Sequence, residues 1–395
     1  MDDSTIKFCI KCVESNQRFL GSVTHEDRKG KYQQRTLFNE NQVCSACSYY
    51  EYKKNIDWKE REKELKDLLD QYRRDDGYYD VLIPGSGGKD SRFVAHVLKE
   101  EYNMNPLTCT WAPHMYTDVG WRNYIQWVDS GYDNYFHKPN GQVHRALTKL
   151  SFKNLLHPFQ PFAQGQVYFP LRVAKEKKIK LVIYGDSQAE RGSGGNIHSY
   201  NNKFLNHSLY TYKNEKDLFY AGYSIDELKK FNISKKDLIP YMPLKEKDFI
   251  DTNIKVLQLP YFINYNPQSN FYFAKEKTNF EVNPHGRSEG TYTKYASLDD
   301  KIDGLHYYTW FIKTGRGRAT EDAALEIRNN IITREEGVSL VKKYDGEFPK
   351  LYFKEILKYL DMTEIEFAET IDKFRSKNIW EKNGSKWELK HAVWK

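Results

Sequence analysis

Two groups of residues carry chemistry by type and spacing. The first is Ser86-Gly87-Gly88-Lys89-Asp90-Ser91, which follows the apolar run Tyr78-Tyr79-Asp80-Val81-Leu82-Ile83-Pro84 and precedes a helical pattern through Phe93, Val94, Val97 and Leu98. Glycines in a strand-to-helix turn bring backbone N–H groups close to an anion, and the following helix adds the positive end of its dipole. Ser86 and Ser91 add hydroxyl donors, Lys89 neutralises charge, and Asp90 is placed to ligate Mg²⁺. Two familiar loops fail on spacing. A Walker loop needs Gly at 83 and Ser or Thr at 90, and a dinucleotide fingerprint starting at Gly85 needs Gly at 90, where the chain has Ile83 and Asp90.

The second group is Cys9 and Cys12 with Cys44 and Cys47, which confines four of the five cysteines to the first 47 residues. Two CxxC pairs supply four thiolates to one tetrahedral zinc, and four ligands close the coordination sphere, so the expected role is structural. A redox pair would need only one CxxC. Cys109 stands alone in a strand and reads as a buried core thiol.

Strand, turn and helix recur after the loop. Strands are expected at Pro106–Trp111, Tyr132–Phe136, Lys180–Tyr184 and Val256–Tyr261, and helices at Trp121–Asp129 and Val167–Lys178. Alternation of this kind predicts an α/β fold with a parallel sheet. The expected organisation is a zinc-ribbon module over residues 1–52, a linking helix within 53–76, and an ATP-binding α/β core over 77–200. An insertion or substrate-facing segment with one possible further strand spans 201–290. A helical C-terminal region spans 291–395, with helices at Glu321–Asn329, Thr333–Lys343 and Phe353–Leu360.

The 395 residues carry a net charge of +7 from 61 basic and 54 acidic residues that are interspersed, which suits a nucleotide better than a long nucleic acid. No apolar run has the length of a membrane span and MDDSTIKFCI is not a signal sequence, so a cytoplasmic chain is expected.

The hexapeptide matches the pyrophosphatase loop, Ser-Gly-Gly-x-Asp-Ser, of enzymes such as asparagine synthetases, GMP synthetases and tRNA thiolases. That resemblance implies that ATP is split to AMP and pyrophosphate, with Ser86, Gly87, Gly88, Lys89, Asp90 and Ser91 on the leaving phosphates. Further stretches are Tyr184-Gly185-Asp186-Ser187-Gln188-Ala189-Glu190, the run from Ser288-Glu289-Gly290-Thr291 to Asp299-Asp300-Lys301-Ile302-Asp303-Gly304, Lys313-Thr314-Gly315-Arg316-Gly317-Arg318, and Lys343-Tyr344-Asp345-Gly346-Glu347. With the loop and the cysteine pairs, in that order, the chain resembles the N-acetyl sugar amidotransferase family of bacterial surface-polysaccharide and pseudaminic or legionaminic acid biosynthesis, with lipopolysaccharide and flagellin glycans as destinations.

The resemblance implies conversion of an acetamido to an acetamidino group with ATP, Mg²⁺ and ammonia. It makes Lys89, Asp90 and Glu190 the expected catalytic residues, and Asp186, Glu289, Thr291, Asp299, Asp300, Lys301, Arg316 and Arg318 the expected substrate-binding residues. No glutaminase nucleophile is expected in the chain, since the sequence begins Met1-Asp2 and Cys109 lacks elbow glycines. A separate glutaminase is therefore expected, like the glutaminase and cyclase subunits of histidine biosynthesis. Two rivals are a tRNA thiolase and a non-enzymatic zinc-ribbon binding module; ATP–pyrophosphate exchange separates the latter from an enzyme.

Overall fold

The computed structural model describes residues 6–17, 36–185 and 203–395. Five strands form one sheet: β1 Val81–Pro84, β2 Pro106–Trp111, β3 Asp133–His137, β4 Leu181–Tyr184 and β5 Lys255–Gln258. Their order is β3-β2-β1-β4-β5 and every pairing is parallel, with Val81 opposite Pro106, Leu82 opposite Val182 and Leu181 opposite Lys255. The chain works outward from β1 to β3 and returns to β4 on the other side. The carboxyl ends of β1 and β4 therefore flank the switch point, where open α/β sheets bind their ligands.

Buried Val81, Leu82, Ile83, Leu181, Val182 and Ile183 fill both faces of the centre of the sheet, which is why these strands read as continuous apolar runs. Val81 and Ile83 pack with Leu65, Leu69, Val94 and Leu98 on one face; Leu82 and Val182 pack with Leu147, Leu171 and Leu228 on the other. The crossover helices that bear on the site are α1 Lys89–His96, α2 Asp118–Asp129 and α3 Gln160–Glu176. Toward the C-terminus come α4 Asp303–Thr314, α5 Arg318–Arg328 and α6 Arg334–Tyr344.

The sequence-based elements fall close to their expected places, with instructive exceptions. Tyr78 and Tyr79 lie outside β1 because Asp80 takes the backbone N–H groups of Arg74 and Asn105 (2.7 and 2.8 Å) and starts the strand one residue later. The helix Gly141–Leu155 was not expected. Its buried face includes His144, Thr148, Ser151 and Asn154, which hide the apolar period. The helix Pro267–Thr278 was also not expected; it packs against α1 and lies within the segment read as an insertion. β5 supplies the further strand as the edge of the sheet.

The cysteine segment packs on the C-terminal helices. Val13, Val43 and Ala46 meet Ala323 and Ala324 of α5 and Val341 of α6. No helix among the described residues is long and apolar enough to cross a membrane.

Candidate active site

The phosphate-loop turn is held from beneath. The amide of Gly85 donates to the carbonyl of Cys109 (2.9 Å), tying the turn to β2. Gly87 adopts φ +82°, and a side chain there would meet the Asn123 carbonyl oxygen at 2.8 Å, so glycine is required twice over. Gly88 is the N-cap of α1 and no side chain caps that helix, which leaves its first-turn amides available to an anion. Ser91 donates its hydroxyl to the Gly88 carbonyl (3.0 Å).

Arg92 is fully buried under this turn. Its Nε donates to the Gly87 carbonyl at 2.8 Å and its two terminal nitrogens donate to the carbonyls of Asn123 and Thr278. Burial lowers its pKa to about 10, which still leaves it charged at neutral pH. Sequence reasoning missed Arg92; its place directly after the loop was the only signal.

Lys89 is buried, while Asp90 is half-buried. Tyr295 lies beneath its Nζ, with the ring centroid 5.4 Å away, and Nζ sits 2.7 Å from both Asp90 oxygens. Asp90 also accepts from the Tyr265 hydroxyl (3.3 Å) and the Asn270 amide (3.4 Å).

The facing wall comes from the segment that leads into α4. Gly120 of α2 makes the approach possible, because a Cβ there would lie 2.4 Å from the Asp299 Cα. The Thr117 amide donates to the Asp299 carbonyl (3.2 Å) and the Thr117 hydroxyl to that of Leu298. So placed, Asp299 receives a hydrogen bond from Ser86 of the loop; burial raises its pKa, and the Ser86 bond opposes the rise. Asp303 is 6% exposed and its Oδ2 has no hydrogen-bond partner among the described residues. Burial raises its pKa well above the ordinary aspartate value, with Asp299 and Asp300 adding to the shift and Arg318 opposing it. His306 Nδ1 likewise lacks a partner among the described residues, and burial lowers its pKa to about 3. The His306 ring stacks on His157, with centroids 5.4 Å apart.

The N-terminus of α5 completes the wall. Asp345 accepts from the amides of Gly317 (2.8 Å) and Thr320 (3.1 Å), fixing the helix start that presents Arg318. Arg318 donates to Asp322 (2.8 Å) and to the Tyr307 hydroxyl (3.3 Å), and Arg316 to Glu14 (2.5 Å). Between the walls lies a cleft of about 630 Å³.

The cleft brings together Ser86, Gly87, Gly88, Lys89, Asp90, Ser91, Asp299, Arg316 and Arg318 of the expected residues. It does not gather the others. Glu289 accepts from the amides of Lys350 and Leu351 (2.8 and 3.1 Å), and fully buried Thr291 donates to Asp322 (2.6 Å). Asp300 accepts from the amide and Nδ1 of His114 (2.8 and 2.6 Å), and Lys301 pairs with Glu355 (2.6 Å). Asp186 and Glu190 lie outside the described residues; Gly185, just before them, lines the cleft. Sequence reasoning missed Asp303, His306, Tyr295 and Tyr307. Asp303 stood inside the acidic run, but nothing local separated it from Asp299 and Asp300.

The four N-terminal cysteines converge. Their sulfurs lie within 4.8 Å of one another, with Cys9 to Cys47 at 3.8 Å and Cys12 to Cys44 at 3.7 Å. Four sulfurs about 2.3 Å from one ion at tetrahedral corners are separated by roughly 3.8 Å, so the set fits a single ion; a cubane of four irons would hold the sulfurs farther apart. The amides of Glu14, Cys44 and Cys47 donate to sulfurs at 3.3 to 3.5 Å, and Arg328 Nη1 lies 3.7 Å from Cys12 Sγ. These donors offset the charge four thiolates would bring.

Residues 289–393 match the family described as LPS biosynthesis protein WbpG-like, C-terminal domain. That match covers the two arginines and the acidic wall, and it supports the N-acetyl sugar amidotransferase family that the motifs resemble. No curated protein matches the chain. Among solved structures, the U34-tRNA thiolase NcsA from Methanococcus maripaludis with its 4Fe-4S cluster is similar at 14% identity and a TM-score of 0.33, over 86% of this chain and 89% of that one. At that score the likeness says nothing of activity or metal. The parallel sheet, the cysteine cluster and the helical C-terminal region are those expected from the sequence.

Proposed function

We propose that this chain, which carries a WbpG-like domain over residues 289–393, is an AMP-forming ATP-dependent amidotransferase that converts a sugar acetamido group to an acetamidino group. The observation that supports it is the cleft itself: a pyrophosphatase-type loop forms one wall, and the family-matched segment bearing Asp299, Asp303, Arg316 and Arg318 forms the other. The acetamido oxygen attacks the α-phosphorus of ATP, giving an O-adenylyl imidate and pyrophosphate; ammonia then displaces AMP. An amide oxygen is a poor leaving group until it carries a phosphoryl group, so adenylation supplies the driving chemistry.

The amides of the loop, the hydroxyls of Ser86 and Ser91, and Lys89 hold the β,γ-phosphates. Asp90 would ligate Mg²⁺, which screens phosphate charge. Glu190 is a second candidate ligand, and Asp186 a substrate contact. Arg316 and Arg318 suit the anionic part of a nucleotide-linked or acidic acetamido sugar. The acetamidino-sugar product fits lipopolysaccharide or pseudaminic and legionaminic acid biosynthesis in the cytoplasm. The nitrogen comes from a separate glutaminase of the kind found in histidine biosynthesis. Cys9, Cys12, Cys44 and Cys47 hold zinc, whose work is to fix the segment against α5 and α6.

The test is incubation with ATP, Mg²⁺, an ammonium salt and a panel of acetamido sugars, followed by mass analysis. Replacement of oxygen by NH in one sugar, with matching AMP, is the expected result; sulfur transfer to tRNA with every sugar untouched would hand the case to a thiolase. Metal analysis of the purified protein should return about one zinc per chain, and iron with labile sulfide in its place would overturn the zinc assignment.

A further inference from the structure

A second cavity, of about 260 Å³, lies behind the acidic wall. Ser297, Leu298 and Asp303 line both this cavity and the cleft, so they form the partition between them. The charged groups around the side cavity are largely committed to one another. Arg122 pairs with Glu281 (2.8 Å), Lys301 with Glu355 (2.6 Å) and Asp300 with His114 (2.6 Å), while Glu289 takes two backbone amides. Asp118, the first residue of α2, also lines it.

Asp303 differs. It is nine-tenths buried and its Oδ2 meets no donor among the described residues. A buried carboxylate oxygen with no donor is costly, and its position in the partition calls for a small donor that arrives from one of the two spaces. Mg²⁺ is a poor match, since it demands a near-octahedral set of oxygens. Ammonium, a compact cation with N–H donors on every side, matches a single free oxygen. Burial, with the charges of Asp299 and Asp300, raises the proton affinity of Asp303 against the opposing pull of Arg318, so its ionised form, which an arriving ammonium cation favours, takes that ion's proton readily.

We propose that the side cavity is the entry for the nitrogen donor and that Asp303 takes a proton from ammonium at the partition, releasing neutral ammonia into the cleft. The inference rests on the amidotransferase reading and adds to it the route and the base. Ammonium gives one proton to Asp303 Oδ2 and keeps the lone pair that this frees. That pair forms the bond to the imidate carbon. One nitrogen proton moves to the sugar nitrogen, the C–O bond to the adenylyl group breaks with its electrons leaving on AMP, and the product departs as an amidinium. The proton on Asp303 returns to solvent through the side cavity.

The test compares amidine formation against ammonium concentration in the full chain and two variants. Asp303→Asn removes the acceptor. Gly304→Leu fills the side cavity alone, because Gly304 lines that cavity and not the cleft, and a Cβ there would stand 3.2 Å from the Pro349 Cβ. Should Gly304→Leu fail to fold, Leu351→Trp at the half-exposed rim of the same cavity replaces it. Both changes should raise KM for ammonium at least about tenfold, a shift of roughly 1.4 kcal/mol, and the cavity-filling variant should leave KM for ATP unchanged. An unchanged ammonium KM in folded variants that form amidine overturns this inference alone, as does a rise confined to the sugar KM. Failure of the unaltered chain to form amidine from any acetamido sugar overturns the parent reading and this one with it.

Discussion

At one end of the cleft, residues 85–91 offer an anion glycine amides, a helix N-terminus, two hydroxyls and the Lys89 ammonium, with Arg92 bracing the turn from beneath, and every piece lies within eight consecutive positions. At the other end Asp299, Asp303 and His306 stand desolvated, placed there by contacts with α2 and by the turn into α4. The first end is made from backbone geometry and costs little to hold in place. The second holds carboxylates where water has been removed, which is unfavourable unless a cation or donor arrives during turnover. On the proposed reading a triphosphate takes the first end and the nitrogen chemistry the second. Ser86 touches both, since it belongs to the loop and its hydroxyl bonds Asp299.

The largest expected effect breaks the anion end. Lys89→Ala should lower AMP formation by at least about a hundredfold, the size expected when a fixed charge facing phosphate is lost. The fold should survive, because Asp90 keeps Tyr265 and Asn270 as donors. AMP release at the unaltered rate would show that the triphosphate lies elsewhere. A smaller effect is expected one layer down. Arg92→Met leaves the carbonyls of Gly87, Asn123 and Thr278 without their donor in the interior, and should cost about 3 kcal/mol of stability. Denaturant titration measures it, and a variant as stable as the parent would show that the turn does not depend on this arginine.

The same contrast explains what the sequence disclosed. The loop was legible because its chemistry is local: Gly87 and Gly88, Lys89 and Asp90 are neighbours in the chain as they are in space. The central strands were legible because both faces are buried and the apolar runs are continuous. The acidic wall was only half legible. Asp299, Asp300 and Asp303 stand within five positions, yet His114 and two further amides, those of Met115 and Ile302, take up Asp300, Ser86 takes Asp299, and Asp303 Oδ2 is left open. That sorting depends on residues nearly two hundred positions away. Helix Gly141–Leu155 was hidden by its polar buried face. The C-terminal hairpin Trp380–Asn383 with Lys386–Leu389 did leave a signal in Asn383-Gly384, where Gly384 adopts φ +60°, but its strands are too short to show a period.

The smallest prediction sharpens the acidic end by sign. His306 titrates near 3 in the fold against about 6.5 in an unfolded chain, so between those values the unfolded state binds more protons. Its share of stability is complete above about pH 6.5 and is lost as pH falls below it, by up to about 1.4 kcal/mol per pH unit; partial access to water reduces that figure. Asp303 runs the other way. Its folded pKa is raised, so its share is present in acid and is lost as pH rises through the folded value. Comparing urea midpoints at pH 7 and pH 5, His306→Gln should narrow the loss of stability on acidification, while Asp303→Asn should widen it. His144, whose pKa burial also lowers, remains in both variants and cancels from the comparison; His157, lowered by burial and by His306 stacked on it, loses part of that lowering in His306→Gln, which narrows the acid loss in the same direction. Shifts in the same direction for the two variants would mean that one of these groups is solvated in the folded protein, and the contrast between a backbone-built anion end and a desolvated acidic end would fail at that residue.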